Sequence, residues 1–481
     1  MKKTFWVCAW LLLSLGAASA QQERFRKSPP IPDPLPQLEL PAVESTSLMN
    51  GLTLAVVSRP DQPFISLELI IMAGESRSPQ NLPGLASFTA EMLSRGTPLV
   101  SATELEDRID AVGGDFGTTI TPDFCRFSLR FLDGYLEQAL ETLSLMLLQS
   151  NFSDREIVAL KRTQFYDLKQ KQRDPEFVGR RQLLRLLFKG HPYGRSFFNE
   201  DVFKSITRKD VQAFYDAYYR PNNALIVLAG NLDMAVAMKR VSHFLNTWPR
   251  REVEPPVLTV PAPNAEERYC LVDLPRAQAA TLVIGNVILP QVESDRFPLA
   301  VLNQIIGGTP FSRLFMNLRE AKAYAYSAFS RLEFFRSCGF YELSAAVIPS
   351  AASSSVREIM GELERINRNK VSNFELEQAK SYLIGHFPLQ VGHLDQLSRR
   401  LSEILAFSLG DAEWARFNDN ISLVDADRIF EAAQRYFLLK PVVVIVGDKN
   451  TLLEYLRDID RLEVYDLKGV LLYTRIKGVE G

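Results

Sequence analysis

Asp210-Val-Gln-Ala-Phe-Tyr-Asp-Ala-Tyr-Tyr-Arg-Pro221, followed by Ala224-Leu-Ile-Val-Leu-Ala-Gly230, decides the fold, because the same pattern returns further along the chain. The second copy is Asp427-Arg-Ile-Phe-Glu-Ala-Ala-Gln-Arg-Tyr-Phe437, then Val442-Val-Val-Ile-Val-Gly447. In each copy apolar residues recur at helical spacing, a turn intervenes, and an uninterrupted apolar run ends in glycine. That is an amphipathic helix feeding a buried strand. A weaker pair keeps the same order, Ser153 to Lys161 against Ser372 to Lys380, each opening a helix. An internal repeat fixes architecture early, and two homologous domains are its simplest account.

Working outward, each half begins with strand-like alternation, Ile65 to Met72 and Ala280 to Ile288, and passes through helices to the repeated helix-strand pair. Phe124 to Phe131 and Gly339 to Val347 alternate polar and apolar residues between helices, which predicts antiparallel or mixed sheets covered by helices on one face. The fold class is therefore α+β. We place an N-terminal domain at 46–247, a proline-marked linker at 248–267 and a C-terminal domain at 268–450. Residues 451–481 form an appendage with a short helix and the strand-like Val470 to Thr474.

The chain has 481 residues, 55 basic and 57 acidic, and a net charge of −2, which argues against a nucleic-acid partner held by counterion release. Residues 1–20 join Lys2-Lys3 to an apolar run and the exit Ala18-Ser19-Ala20, a signal peptide cleaved after Ala20. No later segment is long and apolar enough to span a bilayer. The expected compartment is the periplasm. Residues 21–45, rich in proline, read as an extended arm. The mature chain keeps Cys125, Cys270 and Cys338. Either Cys270 and Cys338 pair across adjacent strands, or all three are small buried apolar residues.

A further set of residues falls in order: Asn50-Gly51-Leu52, Ala73-Gly74-Glu75, Gly84-Leu-Ala86, Met92-Leu93, Gly96-Thr97, Gly113-Gly114, His191-Pro-Tyr-Gly194 and Tyr219-Arg-Pro-Asn-Asn223. In the second half Gly307-Gly308, Ser312-Arg-Leu-Phe315 and Leu318-Arg-Glu320 follow. Together they resemble the pitrilysin/insulinase family of zinc peptidases, in the short-chain bacterial form related to the mitochondrial processing peptidase. The resemblance covers nearly all of the mature chain.

In that family H-x-x-E-H follows the Gly-Leu-Ala segment on a helix, two histidines binding zinc and the glutamate activating water. Here the segment reads Gly84-Leu-Ala-Ser87-Phe-Thr-Ala90-Glu91. Ser87 and Glu91 stand where the histidines belong, and Ala90 where the catalytic glutamate belongs. The downstream carboxylate ligand falls near Asp167. A hydroxyl and two carboxylates make a poor zinc site, since zinc favours nitrogen and sulfur. Nor do the four histidines rescue it: Gly385, Gly392 and Pro388 are expected to interrupt any helix carrying His386 and His393, and His191 lies in a turn. The expectation is no metal and no catalytic residue in this chain alone.

The resemblance also implies what is kept. In the family an arginine and, seven residues later, a tyrosine reach across the chamber and donate hydrogen bonds to the peptide carbonyl as it gains charge. They match Arg319 and Tyr326, with Tyr324 as a rival donor. The strand near Phe116 to Thr121 matches the edge that pairs with substrate backbone. The reading is a non-catalytic subunit that pairs with a homologous H-x-x-E-H subunit carrying the zinc. Arg319 and Tyr326 then act on unfolded peptide in the partner's site. The alternative is a homodimeric, non-hydrolytic peptide-binding or scaffold protein of the envelope.

Overall fold

The computed structural model describes residues 40–196, 200–256, 258–262, 264, 266–288, 295–409, 415–437 and 439–478. The signal peptide and residues 21–39 of the proline-rich arm lie outside them, and the arm's last two residues open β1. Two mixed sheets make up the chain. The first holds β1 (Glu44–Ser47), β2 (Thr53–Ser58), β3 (Phe64–Ile71), β4 (Asp115–Ile120), β5 (Cys125–Leu132) and β6 (Ala224–Gly230). The second holds β7 (Arg268–Asp273), β8 (Ala280–Ile288), β9 (Ala325–Phe334), β10 (Gly339–Val347), β11 (Val442–Gly447), β12 (Arg461–Tyr465) and β13 (Leu471–Ile476).

The strand orders are β1-β2-β6-β3-β5-β4 and β13-β12-β7-β11-β8-β10-β9. In the first sheet β2 pairs parallel with β6, and β6-β3, β3-β5 and β5-β4 are antiparallel. The second repeats this with β7-β11 parallel and β11-β8, β8-β10 and β10-β9 antiparallel. The repeated sequence thus becomes a repeated topology. Residues beyond 450 add β12 beside β7 and β13 beside β12, on the far side of the second sheet.

Seven helices matter for the argument: α1 (Leu85–Met92), α2 (Asp154–Lys171), α3 (Pro175–Leu187), α4 (Arg208–Tyr218), α5 (Asn373–Gly392), α6 (Leu394–Ala406) and α7 (Ala426–Tyr436). Their starts follow from local chemistry. Ser153 accepts from the Glu156 N–H to cap α2, and Ser372 with Glu375 forms a capping box on α5. Thr207 and Asp210 do the same for α4, and Asp425 caps α7.

One expectation needs correction. The sheets are covered on both faces, because each half lends a helix to the other. Helix α6, from the second half, lies on β3 and β6 of the first sheet, and α3, from the first half, lies on β8 and β11 of the second. The signal for two-faced burial was present, since β6 and β11 are buried at every position and read as continuous apolar runs. The second core made by α3 packs Val178, Leu183 and Leu187 against Val283, Val444 and Val446.

Both exchanged helices approach closely through small residues. A Cβ on Gly179 of α3 would sit 2.6 Å from Cγ2 of Val283. On α6, Ser398 and Ser402 are fully buried, and the Ser398 and Ser66 hydroxyls lie 2.7 Å apart. Ion pairs lock each crossing. Arg126 on β5 donates to Glu403 of α6 at 2.7 Å and lies 3.5 Å from buried Glu68. Across the molecule, Arg180 of α3 donates to Glu342 of β10 at 2.5 Å and also to Glu333 of β9.

Helix α5 is a second correction: it runs unbroken through Gly385 and Pro388 to Gly392. A proline inside a helix costs about 3 kcal/mol. Here Phe387 and Val391 are buried, and Phe387 stacks on Phe417 at 4.4 Å, which offsets that cost. Cys125, Cys270 and Cys338 are all free and buried, so the apolar reading holds. No described helix is long and apolar enough to cross a membrane.

The exchange makes two predictions. Gly179→Val wedges a branched side chain against Val283 and should destabilise the chain by about 2–3 kcal/mol in urea unfolding. Burial pushes the Glu68 carboxyl up to about 7, with Ser128 and Arg126 opposing. An acid that holds its proton more tightly when folded stabilises at low pH. That contribution is lost as the pH rises from about 4.5 toward 8, by up to about 3 kcal/mol. Glu68→Gln should therefore gain stability relative to the unaltered chain at pH 8, and the gain should fade to nothing below about pH 4.

Candidate functional site

Helix α1 carries the positions where a zinc-peptidase helix would hold its ligands. It begins after Gly84, whose φ of 89° suits a residue without a Cβ. The helix offers its first N–H groups to a carboxylate from elsewhere in the chain. Glu75 accepts from the backbone of Gly84 at 3.1 Å and of Ser87 at 2.9 Å, from Ser78 Oγ at 2.9 Å, and from the Ser87 hydroxyl. This carboxyl is fully buried. Burial raises its pKa, and the four donors pull the other way.

Ser87 is thus bent back onto Glu75 as a donor. Ala90 is buried in the first core. Glu91 is half-buried, and burial raises its pKa against the pull of Gln164 and Arg95, while nearby Asp167 raises it further. The charges of Asp167, Arg95 and Lys171 all act on Glu91, whose hydrogen-bond partner is the buried amide of Gln164. Ser87 is committed as a donor, burial favours the protonated form of Glu91, and neither position carries an imidazole. These residues do not fit zinc. Among the described residues no group of three His, Cys, Asp or Glu side chains is placed to hold a metal.

The histidines have other employment. His191 is buried, with Nε2 2.7 Å from the Thr259 carbonyl oxygen and Nδ1 accepting from the Tyr193 N–H at 3.2 Å. Burial lowers its pKa. His386 lies within α5 after all, stacked on Tyr382, and His393 ends that helix.

The second-half residues present a different picture. Arg319 sits in a wide π-helical turn, Met316–Ala321, a form common at functional sites. Its guanidinium carbon lies 4.9 Å from the Phe315 ring centroid and 5.3 Å from that of Tyr326. Two aromatic faces therefore hold the cation. Glu320 is 3.6 Å away, beyond a hydrogen bond, and among the described residues no hydrogen bond engages the guanidinium. Tyr326 is 80% exposed at the start of the outermost strand β9, so its hydroxyl is available as a donor. Tyr324, by contrast, packs against the core on the other face of the second sheet, which holds Leu282, Leu318 and Leu343. Ala323, between turn and strand, takes a left-handed φ of 51°, which re-aims the chain so that Tyr326 returns over Arg319.

Strand β4 is the outer strand of the first sheet and alternates exposed and half-buried residues. Sequence reading missed Glu75 and Gln164 as site residues. Glu75 stood inside a quoted motif, but its partner Ser87 is twelve residues away. Gln164 lies about one helical turn before Asp167, the only hint of its place.

With that geometry in hand, residues 53–201 match the family model described as Insulinase (Peptidase family M16), and residues 205–383 the Peptidase M16 inactive domain. The chain belongs to the insulinase family. It is 27% identical over 367 residues to an uncharacterized zinc protease of Mycobacterium bovis, covering 76% of this chain and 83% of that one. With an uncharacterized zinc protease of Rickettsia felis it shares 21% identity over 408 residues, 84% of this chain and 97% of the relative. Among solved structures, an M16 inactive domain from Pseudomonas fluorescens superposes with a TM-score of 0.79 at 20% identity, over 85% of this chain and 98% of that one. The first half of the periplasmic protease PqqL from Escherichia coli gives 0.70 at 16% identity, over 86% and 93%. These likenesses support the two-domain insulinase fold.

The Glu75 network predicts a stability effect at this degenerate site. Glu75→Ala strands the N–H groups of Gly84 and Ser87 and the hydroxyl of Ser78 in the interior. It should cost about 3 kcal/mol in thermal or urea unfolding.

Proposed function

We propose that this chain is a non-catalytic subunit of a zinc peptidase of the cell envelope, paired with a homologous chain whose H-x-x-E-H helix is intact. The observation that carries this reading is the contrast between the two halves. Helix α1 has turned its ligand positions inward to Glu75 and Gln164, while Arg319 is clamped by Phe315 and Tyr326 at the surface with donors to spare. An exposed, oriented guanidinium beside an exposed phenol is what a peptide carbonyl requires as its oxygen gains charge.

In this reading Arg319 and Tyr326 project into the partner's site, and the chamber closed by the two chains admits unfolded peptide. Strand β4, with one row of backbone groups facing outward, offers a second place for extended peptide. On this reading the assembly works in the periplasm, to which the expected N-terminal signal would export this chain. A homodimeric scaffold without hydrolysis needs no such donor pair at its surface, so the exposure of Tyr326 favours the first reading.

The test is co-expression of this chain with a signal-bearing homologue that retains H-x-x-E-H. The purified pair should cleave an unstructured peptide, and each chain alone should be inert. Arg319→Ala should lower kcat/KM by about 10²–10³ and Tyr326→Phe by about tenfold or more, with assembly unchanged by sedimentation. Equal rates for all three complexes would remove the donor role.

A further inference from the structure

A cleft of about 620 Å³ opens where β4, the end of β9 and the C-terminal half of α6 meet. Its apolar wall is Phe124, Phe334, Phe335 and Phe407, and Arg126, Arg296, Arg336 and Arg400 outnumber Glu333 and Glu403 around it. Both carboxylates are already engaged. Glu403 accepts from Arg126 at 2.7 Å, and Glu333 from Arg180. Arg126 is taken up by Glu403 in turn and Asp123 lies beside Arg336, so the positive excess is that of four guanidinium groups against two carboxylates in the lining.

Arg336 is the best-placed of the four cations. It occupies the tip of the β9-β10 hairpin, which closes with the Phe335 N–H on the Cys338 carbonyl at 2.7 Å. Its own N–H donates to Asp123 at 2.8 Å, and the next N–H, of Ser337, donates to the Tyr193 hydroxyl at 3.1 Å, itself bonded to Asp123 at 3.0 Å. One guanidinium N–H is anchored on the Ala406 carbonyl at 3.1 Å. Backbone and side chain are thus both pre-set at the lining of the cleft, with guanidinium donors left over beyond the one on Ala406. A pre-set guanidinium fork matches a carboxylate in geometry as well as charge.

The strands bounding the cleft narrow the ligand class. β4 and β9 are the outer strands of their sheets, each with one row of backbone N–H and C=O groups not taken by a neighbouring strand. An extended main chain can pair with such an edge and reach the arginines with its end. We propose that the cleft binds the C-terminal carboxylate of an unfolded polypeptide, with Arg336 as the fork and an apolar last side chain against the phenylalanine wall. This site is separate from Arg319 and Tyr326 and needs neither a partner chain nor cleavage.

The experiment uses the mature chain alone and two fluorescein-labelled decapeptides, unstructured and ending in Leu-Phe, one with a free C-terminal carboxylate and one amidated. Fluorescence anisotropy should show the free acid binding at least about tenfold more tightly. Arg336→Gln, an exposed substitution, should erase that ratio while leaving the amide's affinity as it was, and Arg336→Lys should restore it only in part. Equal affinities for acid and amide, no binding of either, or an acid-to-amide ratio unchanged in Arg336→Gln would overturn the proposal. Because no hydrolysis is read, loss of the partner-subunit reading leaves this result standing.

Discussion

The reciprocal loan of helices α3 and α6 is the constraint on which the rest of the molecule depends. Each sheet has one face covered by its own half and the other by a helix from the opposite half. The halves therefore cannot separate without exposing two apolar faces, parting Arg126 from Glu403 and leaving Glu342, almost fully buried, without Arg180. Breaking a buried ion pair by removing one partner costs several kcal/mol. The charges are arranged in opposite senses at the two crossings: arginine on the sheet and glutamate on the helix at one, the reverse at the other. A helix landing on the wrong sheet would meet like charge. That polarity makes the exchange specific as well as stable.

The exchange also sets what is left outside. With central strands covered on both faces, the surfaces free to act are the outer strands and the turns beside them. Tyr326 opens β9, Arg319 lies in the turn before it, and β4 ends its own sheet. Helix α1 serves structure: Glu75 caps it from a distance and the Ser87 hydroxyl completes that cap. A helix turned inward on Glu75 in the first half and an exposed pair, Arg319 and Tyr326, in the second are the two features on which the proposed partner role rests.

Much of this was legible in the residues. The helix-strand repeat ending at Gly230 and Gly447 predicts the matched sheet order, and the serine caps at Ser153 and Ser372 begin helices as expected. The missing imidazoles at Ser87 and Glu91 follow only from setting the segment beside the H-x-x-E-H of the family it resembles. What stayed hidden was tertiary. Amphipathicity shows that α3 and α6 each have an apolar face but does not say which sheet receives it. Pro388 reads locally as a break, and only the packing of Phe387 and Val391 carries the helix past it. The Glu75-Ser87 and Glu91-Gln164 pairings join distant segments, and spacing carries no trace of such contacts.

Isolation of the untagged native chain from the envelope, with zinc counted in whatever co-purifies, tests the central claim most directly. The account predicts a companion homologue bearing H-x-x-E-H in equimolar amount, one zinc per pair, and all of that zinc following the companion when the two are separated. This chain recovered alone, holding stoichiometric zinc and digesting peptide until a chelator is added, would contradict it.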